Sequence, residues 1–158
     1  MEVVGQYVEP LQLQVVARTL FNGLAEDTIV ITQQEVQRLG DANQALLALY
    51  EQVIREVTQQ VAVQEEKLRD WFERNLITPA GTRGTVFREQ RETAGLPNAT
   101  IDMLEQFHLI RAEARAGARW YELIHDRLIR PIQLSNQQWR ENAKPRGWRR
   151  LLGLLGHW

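Results

Sequence analysis

The residues best suited to chemistry are His125 and Asp126, which lie between a strand-like and a helix-like stretch. Residues 120–124 are rich in aromatic and β-branched residues, which is typical of a half-buried strand. Asp126 lies where a helix N-terminus favours a carboxylate, and apolar residues follow at helical spacing, namely Leu128, Ile129 and Ile132. A histidine there either directs its imidazole beyond the sheet end or packs under the helix as a structural residue. In the first case, a phosphate within about 4 to 6 Å would favour its protonated form.

Other catalytic chemistry is not indicated. The sequence has no evident Ser-His-Asp or Cys-His set and no glycine-rich phosphate loop. His125 and Asp126 are adjacent, so at a helix start their side chains point in different directions. With no cysteine and three scattered histidines, thiolate and zinc sites are not expected either. We therefore predict no catalytic residue and no metal site, and we expect that the chain is not an enzyme by itself.

Composition and charge indicate one or two globular domains with a distinct C-terminal tail. The 158 residues are 44% hydrophobic and 25% charged. Residues 136–158 carry five basic residues against Glu141, and residues 143–158 read as a basic amphipathic or disordered tail. Neither a signal peptide nor an apolar run of the ~18 residues needed for a membrane span is apparent. We therefore expect a cytoplasmic protein, membrane-proximal if the tail contacts a membrane surface.

The elements that must position His125 begin with a predicted helical domain, residues 1–60. Pro10 fits the first turn of an apolar helix over residues 11–21. Residues 32–35 form a capping box, and Asp41 caps a helix that runs to about Thr58. In that last helix, apolar residues recur at i, i+3, i+4 and i+7, so one face should be buried.

A winged helix is predicted over residues 61–142. The pattern indicates a helix over residues 64–75 with Arg69 outward, a loop, a short strand over 85–87, and an exposed loop up to Gly95. A further helix from residue 96 to 107 precedes a hairpin formed by residues 109–114 and 119–124. The predicted fold class is therefore mainly α, with a helical lid-like domain followed by a winged helix that has a two-stranded β wing.

Winged helices often bind DNA, so a DNA-binding transcriptional regulator is one alternative. The predicted recognition helix, residues 97–107, has no Lys or Arg and carries Asp102 and Glu105, which phosphate would repel. The wing offers three cations, Arg111, Arg115 and Arg119, but two carboxylates among them, Glu113 and Glu122, reduce its positive charge. We do not expect a nucleic acid partner, and a second alternative is a module that contacts proteins or a membrane surface through its tail.

Two short stretches are similar to motifs of one protein class. Residues 124–128, Ile-His-Asp-Arg-Leu, resemble the Met-His-Asp motif in the winged-helix domain of STAND-type nucleotide switches, which include plant and animal immune receptors and bacterial relatives. Ile124 replaces the methionine. Residues 9–13, Glu-Pro-Leu-Gln-Leu, resemble the Gly-x-Pro-Leu motif that begins the helical lid, although the expected glycine, near Val8, is absent. Further similarity to bacterial novel STAND NTPases extends the resemblance to about residues 5–140, through residues 7–16, 70–73, 76–79, 81–84 and 121–131.

This resemblance implies a regulatory, nucleotide-state-sensing switch module of a signalling or defence ATPase. His125 would contact the terminal phosphate of bound ADP and hold the off state, and Pro10 would pack near the adenine. The chain would bind no cofactor alone. ADP or ATP with magnesium would bind in a complete ATPase whose phosphate-loop domain is supplied in cis or in trans. Self-association on activation and a sensor or effector domain are further implied.

Overall fold

The computed structural model describes residues 42–143 and the isolated positions Gln14, Ala17 and 32–34. Within these residues the chain is mainly α-helical with a small amount of antiparallel sheet. Pro10, the remainder of the predicted helical domain before residue 42, and the basic residues of the tail lie outside the described part.

Most helices and strands of the described chain begin and end within two residues of their predicted positions. In chain order they are α1 (Ala42–Gln60), α2 (Glu65–Asn75), β1 (Thr85–Phe87), β2 (Glu92–Thr93), β3 (Leu96–Pro97), α3 (Asn98–Gln106), β4 (Ile110–Arg115), β5 (Ala118–Leu123), a 3-10 helix (Asp126–Leu128) and α4 (Ile129–Ala143). The β2–β3 pair was not predicted, since the sequence analysis placed an exposed loop there. Ala94 and Gly95 adopt positive φ angles of 48° and 83°, which reverse the chain so tightly that Thr93 and Leu96 pair.

Helix α1 buries its apolar face in a core that it shares with α2 and α4. The periodic apolar residues predicted to face inward are buried: Ala45, Leu46, Tyr50, Val53, Ile54 and Val57. Phe72 of α2 lies edge-on to Tyr50, with 5.3 Å between the ring centroids. Ile132 of α4 belongs to the same core. The predicted boundary between residues 60 and 61 therefore falls between two helices that pack together.

The three-stranded sheet has the order β1-β5-β4, and all its pairs are antiparallel. Its inner face packs Val86 opposite Tyr121 and Ile110 opposite Leu123, all in the core. The turn between β4 and β5 consists of Ala116 and Gly117, both with positive φ, as a two-residue hairpin of this type requires. The predicted hairpin is thus confirmed, and its second strand leads directly to His125.

Gly84 joins the loop after α2 to strand β1 at a point of close backbone approach. Its N–H donates to the Leu76 carbonyl at 2.9 Å, and a Cβ atom added to it would lie 2.8 Å from the Asn75 carbonyl oxygen. No side chain can move to relieve this contact, since both partners are backbone.

The substitution Gly84→Ala is therefore expected to lower the free energy of unfolding by about 1 to 3 kcal/mol, the usual range for overpacking. Urea unfolding followed by tryptophan fluorescence measures the change. Ala80→Ser adds one atom at an exposed position of the same loop and should stay within about 0.5 kcal/mol of the wild type. Equal stability of the two variants would contradict the close approach.

Candidate functional site

His125 lies at the corner where strand β5 gives way to a helix, as the sequence predicted. Its backbone is extended, with φ −153° and ψ 145°, and it is the N-cap of the 3-10 helix that continues into α4. Its Nδ1 atom accepts a hydrogen bond from the backbone N–H of Arg127 at 3.1 Å. The histidine side chain, rather than Asp126, therefore caps this helix start.

The capping hydrogen bond indicates which ring nitrogen of His125 carries the proton. Because Nδ1 accepts from an amide, the proton of the neutral imidazole lies on Nε2. The ring is half-buried, and core residues Leu123 and Leu128 flank the corner on either side. The capping bond thus fixes the direction of the imidazole at the end of the sheet.

An open groove begins at the residue after His125. Its volume is about 450 Å³, and it is lined by Asn43, Gly81, Thr82, Asp126, Arg127, Ile129, Arg130 and Gln133. Among the described residues of this lining, Arg127 and Arg130 are exposed arginines, and Asp126 forms an ion pair with Arg83.

Arg83 is a residue of the corner whose role the sequence analysis missed. Its Nε atom pairs with Asp126, and its Nη1 atom lies 3.2 Å from Glu122 Oε1 and 3.3 Å from the Leu123 carbonyl oxygen. The sequence placed Arg83 in a loop, within residues 81–84. The only local signal was the pair of glycines that flank Thr82 and Arg83.

Arg69 forms a second, buried polar cluster that joins α1, α2 and α4. Only 2% of it is exposed, although the helical pattern predicted it to face outward, so that prediction was wrong. Its guanidinium donates to Glu51 at 2.9 and 3.1 Å and to Glu65 at 2.8 Å. It also donates to Ser135 Oγ at 2.8 Å and to Asn136 Oδ1 at 3.1 Å. Acceptors on three helices therefore satisfy this buried cation.

The charges of this cluster stabilise one another. Burial disfavours the charged carboxylate of Glu51, but hydrogen bonds from Arg69 and Ser135 outweigh it and lower the pKa of Glu51. Burial likewise opposes the charge of Arg69, and hydrogen bonds to Glu51 and Glu65 outweigh it and raise the pKa of Arg69. Burial raises the pKa of Tyr50, whose hydroxyl donates to Asn136 at 3.0 Å. The cluster holds the three helices together, since all of these contacts except the one between Arg69 and Glu65 within α2 join one helix to another.

Helix α3 carries paired carboxylates where a DNA-reading helix would carry cations. Asp102 accepts from Arg88 at 2.6 and 3.2 Å, and this hydrogen bonding lowers the pKa of Asp102. Glu105 pairs with Arg119 of β5 at 2.7 Å. These two arginines are thus engaged by the carboxylates of α3, and α3 itself contains no Lys or Arg. The arrangement does not favour recognition of duplex DNA.

Metal sites, membrane helices and known relatives would each narrow the class of function. In the described part of the chain, no group of three or more His, Asp or Glu side chains is placed to hold a metal ion. None of the helices described is long and apolar enough to cross a membrane. Pro10 lies outside the described residues, so His125 is the predicted nucleotide contact whose surroundings are known. Comparison of the chain with protein-family models, curated proteins and solved structures gives no match.

Proposed function

We propose that this chain is a nucleotide-state-sensing switch module of a STAND-type ATPase, regulatory rather than catalytic by itself. The observation that carries the proposal is the half-buried imidazole of His125, held at a strand-to-helix corner by the Arg127 amide and next to an arginine-lined groove. In this role, His125 contacts the terminal phosphate of bound ADP. The resemblance of residues 124–128 to the Met-His-Asp motif supports the same assignment.

We propose further that the module is a winged helix. The sheet order β1-β5-β4, in which the short first strand pairs with the last, is consistent with that fold. So is the placement of α3 immediately before the β4–β5 hairpin. Helix α1 packs on this unit through the shared core.

The chemistry of the corner suits phosphate recognition without proton transfer. The sequence analysis expected a protonated His125 next to a phosphate, but the capping bond from the Arg127 N–H requires an Nδ1 without a proton. In our proposal the imidazole is therefore neutral and donates one hydrogen bond from Nε2 to a phosphate oxygen. The exposed Arg130 in the adjacent groove adds a positive charge. Binding of ADP then favours the domain arrangement in which the corner and the nucleotide are docked, since a ligand stabilises the state it contacts best.

The remainder of the nucleotide site lies on other segments. A phosphate-loop ATPase domain, in cis or in trans, supplies the main contacts to ADP or ATP and magnesium. Pro10 packs near the adenine. Loss of the His125 contact releases the off state and leads to self-association, while a sensor or effector domain provides the input or output.

The substitution His125→Ala tests this function in a complete ATPase that contains the chain. We expect the affinity for ADP to fall by about one to two orders of magnitude, the usual effect of removing a hydrogen bond to a charged group. Calorimetry measures the affinity, and light scattering measures the expected shift to the oligomeric state. The matched control is His108→Asn, because His108 is exposed and has a positive φ of 57°, which asparagine tolerates. If His125→Ala binds ADP and assembles as the wild type does, His125 is not the phosphate sensor.

A further inference from the structure

The loop between α2 and β1 is held by a dense set of local hydrogen bonds. Thr78 N–H donates to the Thr82 carbonyl at 2.9 Å, and their hydroxyl oxygens lie 2.7 Å apart. Gly81 N–H donates to the Thr78 carbonyl at 2.9 Å, and Gly84 N–H donates to the carbonyl of Leu76 at the end of α2. Ile77 and Arg83 form an isolated β-bridge. The backbone that carries the Arg83 side chain is therefore well defined.

From this backbone, Arg83 spans the corner that contains His125. Its guanidinium contacts Glu122 and the Leu123 carbonyl on the strand side, and Asp126 on the helix side. Ile124 and His125 lie between the bridged residues. The Arg83 side chain is 28% exposed and that of Glu122 is 9% exposed, so part of this bridge is shielded from water.

The two carboxylates differ in how strongly they depend on Arg83. Glu122 also accepts from Arg111 Nε at 2.8 Å, and Arg115 lies 3.8 Å from its other carboxylate oxygen. It therefore keeps cationic partners without Arg83. Asp126, whose side chain is 65% exposed, pairs with Arg83 alone among the arginines of this cluster. Removal of Arg83 would therefore mainly deprive Asp126 of its ion pair.

Asp126 lies between His125, which carries the imidazole, and Arg127, whose backbone N–H binds it. The Nδ1 atom of His125 accepts from the N–H of Arg127, and this bond requires the backbone of residues 125–127 to keep its turn. The Arg83 contact holds the middle residue of that turn against the end of β5. A shift of Asp126 would move the Arg127 amide away from Nδ1.

We propose that Arg83 is a positioning residue for His125, because it ties Asp126 to the end of β5 and so directs the imidazole. Its consequence for nucleotide binding rests on the proposed function, whereas its effect on the ring can be measured on this chain alone. Arg83 does not contact the phosphate in this scheme. It acts through the direction and tautomer of the His125 ring.

The tautomer of His125 provides the direct test. Long-range ¹H–¹⁵N correlation spectra of the ¹⁵N-labelled chain, at alkaline pH, report which ring nitrogen carries the proton, and His125→Ala assigns the signals. In the wild type we expect the proton on Nε2. In Arg83→Met the ratio of the Nε2–H to the Nδ1–H tautomer should fall about threefold or more, as expected when a hydrogen bond to Nδ1 is lost.

Arg115→Met is the matched control. It removes one positive charge beside Glu122, but Arg115 contacts Glu113 and Glu122 and is not paired with Asp126. Its tautomer ratio should stay within about twofold of the wild type. Asp126→Asn should lower the tautomer ratio as Arg83→Met does. The double variant should lower it no further than either single variant. Asp126→Asn also covers the case in which Arg83→Met does not fold.

In a complete ATPase, Arg83→Met should weaken ADP binding about tenfold, and Arg83→Lys should restore part of the affinity because the ammonium can still reach Asp126. A wild-type tautomer ratio in both Arg83→Met and Asp126→Asn would overturn the positioning role, whatever His125→Ala does. A changed ratio with unchanged ADP affinity in Arg83→Met and His125→Ala would support the positioning role and overturn the nucleotide function.

Discussion

Replacing Arg69 with methionine is expected to lower the free energy of unfolding by about 3 kcal/mol. The substitution removes a buried cation but leaves Glu51 and Glu65 in place without their main partner. Breaking a buried pair in this way costs about 3 to 5 kcal/mol. The lower end applies here, because the side chains of Glu51 and Glu65 are 28% and 36% exposed and keep some contact with water. Methionine is chosen because its length fills most of the vacated space.

Urea unfolding of the full chain measures this effect. Arg74→Met is the control, because it removes the same charge from the same helix at a side chain that is 77% exposed. Its ion pair with Asp70, four residues earlier, contributes about 0.3 to 0.5 kcal/mol. Similar losses for the two variants would show that the Arg69 cluster does not hold α1, α2 and α4 together.

The substitution Ile54→Ala in α1 is also expected to lower the free energy of unfolding by a large amount. Ile54 is fully buried, and removal of such a side chain costs about 2 to 5 kcal/mol. Because α1 shares its core with elements after residue 61, the loss should appear in the unfolding of the whole described unit. Far-UV circular dichroism and the fluorescence of Trp71 and Trp120 should therefore shift together.

Gln59→Ala provides the comparison for Ile54→Ala, since Gln59 is an exposed residue of the same helix and its replacement should change stability by less than about 0.5 kcal/mol. Two separate transitions, of which Ile54→Ala shifts only one, would place α1 in a different cooperative unit from the sheet.

The shared core also bears on how the proposed switch would move. The Arg69 cluster joins α1 to α4, and α4 follows directly from the His125 corner. We therefore expect these helices to move as one body, and in the proposed function any rearrangement between nucleotide states would take place at the surfaces of that body. In the proposed function, the docking of the His125 corner against the nucleotide is one such surface.

Much of the local structure was determined by the sequence itself. The apolar spacing in residues 42–60 predicted α1, and the residues around Gly117 predicted the β4–β5 hairpin. The junction at His125 was likewise apparent from the change between strand-like and helix-like composition. Each of these features depends on neighbours within a few residues, so a local pattern is enough to indicate it.

Only the tertiary structure decided which distant residues meet. Arg69 faces inward because acceptors as far away as Ser135, 66 residues along the chain, surround it, and helical periodicity cannot register such partners. The same holds for Arg83, whose contacts with Glu122 and Asp126 cross about 40 residues. The sequence thus determined the corner that presents His125, and long-range packing determined what holds that corner in place, because the partners of a buried or bridging charge are set by the fold and not by its neighbours in the chain.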